Sequence, residues 1–328
     1  MAKTKFSSLF AAITLILTFP IAIGAVAADE YPNKPIRLVV PAAPGGPNDV
    51  PARLASQILS ARLGQPVVIE NKPGAGGAIG ARAVTGAPAD GYTLFLGNTS
   101  TLAVMPAVAR NAGYDPTKDF VPIVRIAEGF QILVVRADAP WKTLQEFVDD
   151  SKANPSKINY AHSGAGSLPH LSGELFMLRS GAKLTGVSYR SGGESITAVL
   201  SGAVQATFEN IAILRGQIAE GKVRALGAQH KSRTPLLPDM PTMADAGIAN
   251  AEANSFYGLA APAGTPATVI EKISRAMNEG LVTPEVQKII SNGGSNATSN
   301  SPAEFTSYIA GEYRKWLEVG KAANVKLE

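Results

Sequence analysis

The chain contains no cysteine, which excludes a disulfide framework, a thiolate metal centre, a cysteine nucleophile and a lipidated cysteine anchor together. Histidine is scarce, with three in 328 residues and no paired-His motif of the kind that binds zinc. Charge is sparse as well. Asp, Glu, Lys and Arg make up 17% of the residues, and the formal +4 is spread without a basic block, so nucleic acid is not an expected partner. Enzyme fingerprints are also missing. Gly74-Ala75-Gly76 meets Ile79, and Gly164-Ala165-Gly166 meets Pro169, where a dinucleotide loop needs its third glycine. No Walker sequence and no G-x-S-x-G elbow occurs. The reading is of a non-enzyme with no cofactor and no metal.

Long apolar runs are confined to the N-terminus. Lys3 and Lys5 precede an apolar stretch over 9–23, and Ala25-Val26-Ala27 offers small residues for cleavage, so 1–27 reads as a secretory signal peptide. A membrane anchor fits less well, because Pro20 and Gly24 interrupt a run shorter than the roughly 20 residues a spanning helix needs. Loss of the leader removes the charges of Lys3 and Lys5. What remains is long enough for two domains with ample cores.

From Tyr31 onward, apolar β-prone runs alternate with Gly-rich turns and helical patterns, which predicts an α/β fold with mainly parallel strands. Strands are expected at 36–40, 66–70, 92–96, 130–135, 157–161, 184–189, 203–208 and 223–228, and 255–261 begins a last portion of the chain. The first helix should bury Val50, Leu54 and Ile58 on one stripe. Pro266, Pro284 and Pro302 mark the starts of three late helices.

Four strand-to-helix junctions are rich in Gly, Ser, Thr or Asn: 43–49, 97–101, 162–167 and 189–193. Ligands of α/β sheets bind at the carboxyl ends of strands, where glycines admit close approach and helix N-termini present free amides. Such a site suits a carboxylate. Any one loop taken alone is better explained as a capped turn, and Asp49 and Ser167 fit that role. Two such junctions in each half, facing each other, favour an interdomain ligand site. His162 and His170, eight apart, are better explained by helix-end hydrogen bonds than by a shared metal.

At these residues the chain resembles the periplasmic receptors of tripartite tricarboxylate transporters, the Bug/TctC-type binding proteins. The shared segments include Tyr31-Pro32-Asn33-Lys34-Pro35-Ile36 with Pro44-Gly45-Gly46, and Glu70-Asn71-Lys72-Pro73-Gly74-Ala75-Gly76-Gly77. They continue through Asp90-Gly91-Tyr92-Thr93-Leu94, Gly221-Lys222-Val223-Arg224-Ala225-Leu226, Leu237-Pro238-Asp239-Met240-Pro241-Thr242 and Ala261-Pro262-Ala263-Gly264-Thr265-Pro266.

The resemblance implies a two-domain Venus-flytrap of the type II periplasmic-binding-protein kind, with ligand between the domains. Domain 1 would comprise 28–127 and 255–328, and domain 2 would comprise 128–254. Carried over by position, Ala43, Pro44, Gly45, Gly46 and Asp49 fall on the first binding loop, and Thr99 and Ser100 on the second. His162, Ser163, Gly164, Gly166, Ser167 and His170 fall on the opposing loop, with Tyr189, Glu209 and Asn210 toward the ligand's distal end. An alanine replaces the usual first-loop Phe, His162 replaces a usual Ser, and Glu194 is new beside Arg190.

The expected function is capture of a small organic carboxylate, such as a di- or tricarboxylate, an acidic amino acid or an aromatic acid. The protein would act as a periplasmic monomer serving the membrane subunits of a tripartite transporter. A sensor-kinase adaptor is the alternative. Glu209 either pairs with a ligand ammonium or points away from a second carboxylate.

Overall fold

The computed structural model describes residues 31–45, 47–234 and 236–325. The leader at 1–27 and Gly46 of the first loop lie outside the described residues. Within the described residues no helix is long and apolar enough to cross a membrane.

The first part of the chain runs β1 (Ile36–Val40), α1 (Asp49–Leu63), β2 (Val67–Asn71), α2 (Ala78–Thr85) and β3 (Thr93–Asn98). A π-helical turn, Ser100–Val104, leads into the short α3 (Met105–Val108) and then β4 (Phe120–Gly129). The middle comprises β5 (Gln131–Arg136), α4 (Leu144–Ala153), β6 (Ile158–His162), α5 (Leu168–Ser180), β7 (Leu184–Ser188), α6 (Gly192–Ser201), β8 (Ala206–Asn210), α7 (Ile211–Ala219) and β9 (Val223–Ala228). The last part is β10 (Ser255–Pro262), α8 (Ala267–Leu281), α9 (Pro284–Asn292), β11 (Ser295–Ala297) and α10 (Pro302–Ala322).

Two sheets result. One has the order β11-β4-β10-β3-β1-β2 and the other β7-β6-β8-β5-β9. The expectation of mainly parallel strands is corrected here. β1 pairs parallel with β2 and β3, and β6 with β7 and β8, but every pairing of β4, β5, β9, β10 and β11 is antiparallel. The cause is connectivity. Only Phe130 separates β4 from β5, so a nearly continuous extended segment leaves the first sheet running with β1 and β3 and enters the second against β6 and β8. In the first sheet the reversed strands are β11 and β10, the strand that brings the chain back. Phe130 is fully buried, its carbonyl accepts from the Ile211 amide at 2.9 Å, and its ring lies 4.1 Å from that of His230.

β4 was not expected from the sequence pattern, and it carries Pro122 opposite Ala260 of β10. Its other neighbour, β11, pairs only with Ala127 to Gly129, so the proline's missing N–H leaves no ladder bond broken on that side. α1 buries Leu54 and Ile58 but leaves Val50 48% exposed, correcting the apolar stripe at its first turn. Val50 instead lines a chamber together with Ile126, Asn210 and Ile290.

Thr143 caps α4 through a capping box with Glu146, and Leu144, Phe147 and Val148 face the core of the second sheet. α5 is buried on several sides because it serves two cores. Leu168, Leu171 and Leu175 pack with Phe256, Phe305 and Trp316, while Phe176 packs with Tyr160 and Phe208. Gly173 permits this, since a Cβ there would stand 2.4 Å from the Tyr160 ring.

Candidate binding site

The carboxyl ends of the parallel strands converge on a cavity of about 460 Å³. From the first sheet it is lined by Gly45, Pro47 and Asn48 ahead of α1, by Asn98, Thr99 and Ser100 at the end of β3, and by Ser255, Phe256 and Tyr257 of β10. From the second it is lined by Gln131, Ser163, Leu168 and Pro169, by Ser191, Gly192 and Gly193 at the start of α6, and by Glu209, Asn210 and Ile213. The N-terminal ends of α1, α5, α6 and α7 and of the π-helical turn therefore all reach this space. Their first-turn amides have no intrahelical acceptor and carry the positive end of the helix dipole.

The first wall is wired internally. The Asn98 side-chain amide donates to Asn48 Oδ1 at 2.9 Å, and Asn98 Oδ1 accepts from the Thr101 amide at 3.0 Å. Buried Thr99 ties the loop to β10: its Oγ1 accepts from the Phe256 amide at 2.7 Å and donates to the Asn254 carbonyl at 3.3 Å. Asn210 joins the walls, donating through Nδ2 to Ser255 Oγ at 2.7 Å and accepting through Oδ1 from the Ala212 amide at 2.9 Å. A Cβ on Gly129 would fall within 2.6 Å of both Ser255 Oγ and Asn210 Nδ2, so only glycine leaves room for that link.

The second wall is less complete. Ser191 caps α6 by accepting from the Glu194 amide at 3.3 Å, which leaves the Gly192 and Gly193 amides ahead of the first helical bond. Beneath them lies Glu209, 4% exposed, whose Oε1 has no hydrogen-bond partner among the described residues. A Cβ on Gly192 would come 2.9 Å from that oxygen. Burial pushes the Glu209 carboxyl up to about 8, against a smaller opposing pull from the Asn210 backbone amide. Gln131, 1% exposed, likewise has an unpartnered Oε1. Among the described residues lining the cavity, Glu209 carries the one carboxyl group and none is cationic.

Of the residues singled out in the sequence, Gly45, Thr99, Ser100, Ser163, Glu209 and Asn210 line this cavity. Ala43, Pro44 and Asp49 stand outside the lining, with Asp49 in an ion pair with Arg53 at 2.8 Å. Tyr189 lines a separate surface depression with Glu194 and Thr197. Gly164, Gly166 and Ser167 shape the turn into α5, where Ser167 Oγ accepts from the His170 amide at 3.3 Å. His162 and His170 stack with ring centroids 4.3 Å apart, behind the lining. His162 Nδ1 contacts the Gly164 carbonyl, and His170 Nδ1 accepts from the Gly166 amide at 3.1 Å. Burial, with a lesser contribution from His162, lowers the His170 pKa to about 4. The described residues contain no cluster of three or more His, Cys, Asp or Glu able to hold a metal.

Asn48, Asn98 and Ser191 are not among the individually expected site residues, although they fall within the junctions 43–49, 97–101 and 189–193. Gln131 and Ser255 lie outside every junction, at strand starts that carry no ligand signature. A second chamber of about 210 Å³ adjoins the first and shares Pro47, Asn210 and Tyr257 with it; Val50, Ile126 and Ile290 make its walls apolar.

The family model of the tripartite tricarboxylate transporter family receptor matches residues 51–325. Protein BugT of Bordetella pertussis is 34% identical over 304 residues, covering 92% of this chain and 93% of its own. Among solved structures, a periplasmic transporter matches at 39% identity and TM-score 0.81, covering 91% of this chain and all of its own. The R. palustris protein Rpa4515 with adipate matches at 30% and 0.82, with the same coverage. MatC of Rhodopseudomonas palustris with bound malate matches at 31% and 0.76, covering 88% and 99%. The chain therefore belongs to the tripartite tricarboxylate transporter receptor family and has its periplasmic-binding-protein fold.

Proposed function

We propose that this protein is an exported receptor that captures a small organic carboxylate between its two sheets and presents it to the membrane subunits of a tripartite transporter. The sheets act as lobes, 28–127 with 255–328 and 128–254, hinged where Phe130 and the segment 229–254 cross between them. The observation that carries the reading is the convergence of four helix N-termini and a π-helical turn on one cavity whose described lining has no cationic side chain. An anion there is held by backbone amides and hydroxyls instead of by Lys or Arg.

Ser100, Ser163, Ser191 and the Gly192 and Gly193 amides are the groups proposed to meet the carboxylate. Two relatives of comparable size and fold hold adipate and malate, both small dicarboxylates, which supports the ligand class. The site binds and releases without covalent chemistry. The leader at 1–27 supplies export to the periplasm.

A thermal-shift screen of mono-, di- and tricarboxylates on protein stripped of bound ligand tests this. An acid present at 100 times its dissociation constant should stabilise the fold by about 2.7 kcal/mol. A panel in which no carboxylate raises the melting temperature would sink the reading.

A further inference from the structure

The two unpartnered oxygens on the floor of the cavity call for an explanation of their own. Buried polar atoms are almost always hydrogen-bonded, and an unmet acceptor carries a desolvation cost. Glu209 Oε1 and Gln131 Oε1 are both unmet, both belong to side chains more than nine-tenths buried, and both line the same cavity. They come from adjacent strands, but with Gln131 opposite Asn210 and Ile132 opposite Glu209 the two side chains leave the sheet on opposite faces, so each oxygen is met separately.

We propose that Glu209 forms a subsite for a protonated amino nitrogen, so that the ligand is an organic carboxylate that also carries an ammonium group. This rests on the carboxylate reading given above and narrows it. An ammonium offers three donors, one of which meets the unpartnered Glu209 oxygen and favours its ionised form. A plain dicarboxylate is met only by a Glu209 that keeps its proton and donates it, and so binds without proton release.

The pairing requires an ionised Glu209. In the empty cavity burial holds its proton on at neutral pH. An arriving ammonium favours the carboxylate, and the proton goes to solvent.

Other titratable groups on the elements packed against β8 are engaged elsewhere. His162 on β6 and His170 on α5 stack together, and Glu174 on α5 accepts from the Tyr160 hydroxyl at 2.9 Å. Glu194 on α6 accepts from the Arg190 amide, Arg215 on α7 donates to the Asn292 carbonyl, and Arg136 on β5 pairs with Asp138. Proton release on binding would therefore report Glu209.

Calorimetry on stripped protein at pH 7, in two buffers of different ionisation enthalpy, tests the inference with matched acids: glutamate against glutarate, aspartate against succinate, and 4-aminobutyrate against butyrate. In at least one pair the amino member should bind tenfold or more tighter and release close to one proton. Glu209→Gln should bring the two members of that pair together and abolish the release. The wild-type proton count stands without the variant, should the variant fold poorly. Equal binding of both members in every pair, or tight amino-acid binding with no proton release, overturns the subsite and leaves the carboxylate reading standing. Silence across all six acids overturns the subsite, and the wider screen of mono-, di- and tricarboxylates then decides the carboxylate reading separately.

Discussion

The two walls of the cavity are built from the same local device, a strand end followed by a helix start, yet they stand in different states of completion. On the wall of the first sheet, Asn48, Asn98 and Thr99 are bonded to one another or to the backbone of the crossing strand. On the wall of the second sheet, Glu209 and Gln131 each keep an unmet buried oxygen. A satisfied wall holds its shape without ligand and fixes where an anion can sit. An unsatisfied wall is a standing cost that a ligand with the right donors removes, so discrimination among acids should reside there.

The largest test of this contrast lies in the pH dependence of the empty protein. Glu209 rises from 4.5 in the unfolded chain to about 8 in the fold. The folded state thus holds a proton that the unfolded state gives up between those values. Stability from this group is fully present below pH 4.5 and is lost as pH climbs through 8, a change of about 5 kcal/mol. Denaturant titrations of wild type and Glu209→Gln from pH 5 to 9 should show this decline in the first and its absence in the second. A wild-type curve as flat as the variant's would mean that the second wall is not strained.

His170, behind that wall, works with the opposite sign. Its value falls from 6.5 to about 4, so the neutral ring is stabilised in the fold. Stability from it is complete above pH 6.5 and declines as pH falls toward 4, by about 3 kcal/mol. His170→Asn should flatten the acid limb, measured in the same titrations, because only the wild-type ring takes up a proton there. On the first wall, Thr99→Val removes the acceptor for the buried Phe256 amide. It should lower stability by about 2 kcal/mol at every pH, since no titrating group is involved. A pH-dependent loss would break the distinction between a wired and an unwired wall.

The sequence makes the frame legible and hides much of the floor. Gly, Ser and Asn after an apolar run are local signals of a strand-to-helix junction, and such signals place Gly45, Thr99, Ser100 and Ser163 at the cavity. β4 is hard to read because Pro122, Arg125 and Glu128 interrupt its apolar pattern, although pairing with β10 buries most of it. The antiparallel insertion of β5 depends on the single-residue link at Phe130, a tertiary fact with no local signature. Gln131 is invisible for the same reason: it starts a strand beside buried apolar residues. His170 misleads because Ser167 and Pro169 begin α5 ahead of it, which turns its ring onto His162 and away from the lining. Val50 misleads in the same manner, as a residue at helical spacing that lines the second chamber and stays half exposed.

The smallest effect separates helix capping from ligand contact at Ser191. Its hydroxyl accepts from the Glu194 amide, and its residue also lines the cavity. Ser191→Ala removes the cap and should cost about 1 kcal/mol of stability, but affinity would fall along with it, so that variant alone cannot apportion the two roles. Ser191→Asp can. Aspartate caps as well as serine and suits the positive end of the α6 dipole, so the empty protein should melt at or slightly above the wild-type temperature. The added carboxylate would occupy the Gly192 and Gly193 amides that are proposed to receive the ligand, and affinity for every acid should drop. Unchanged affinity with unchanged melting would assign the α6 N-terminus to structure alone and shift the anion site onto the first wall.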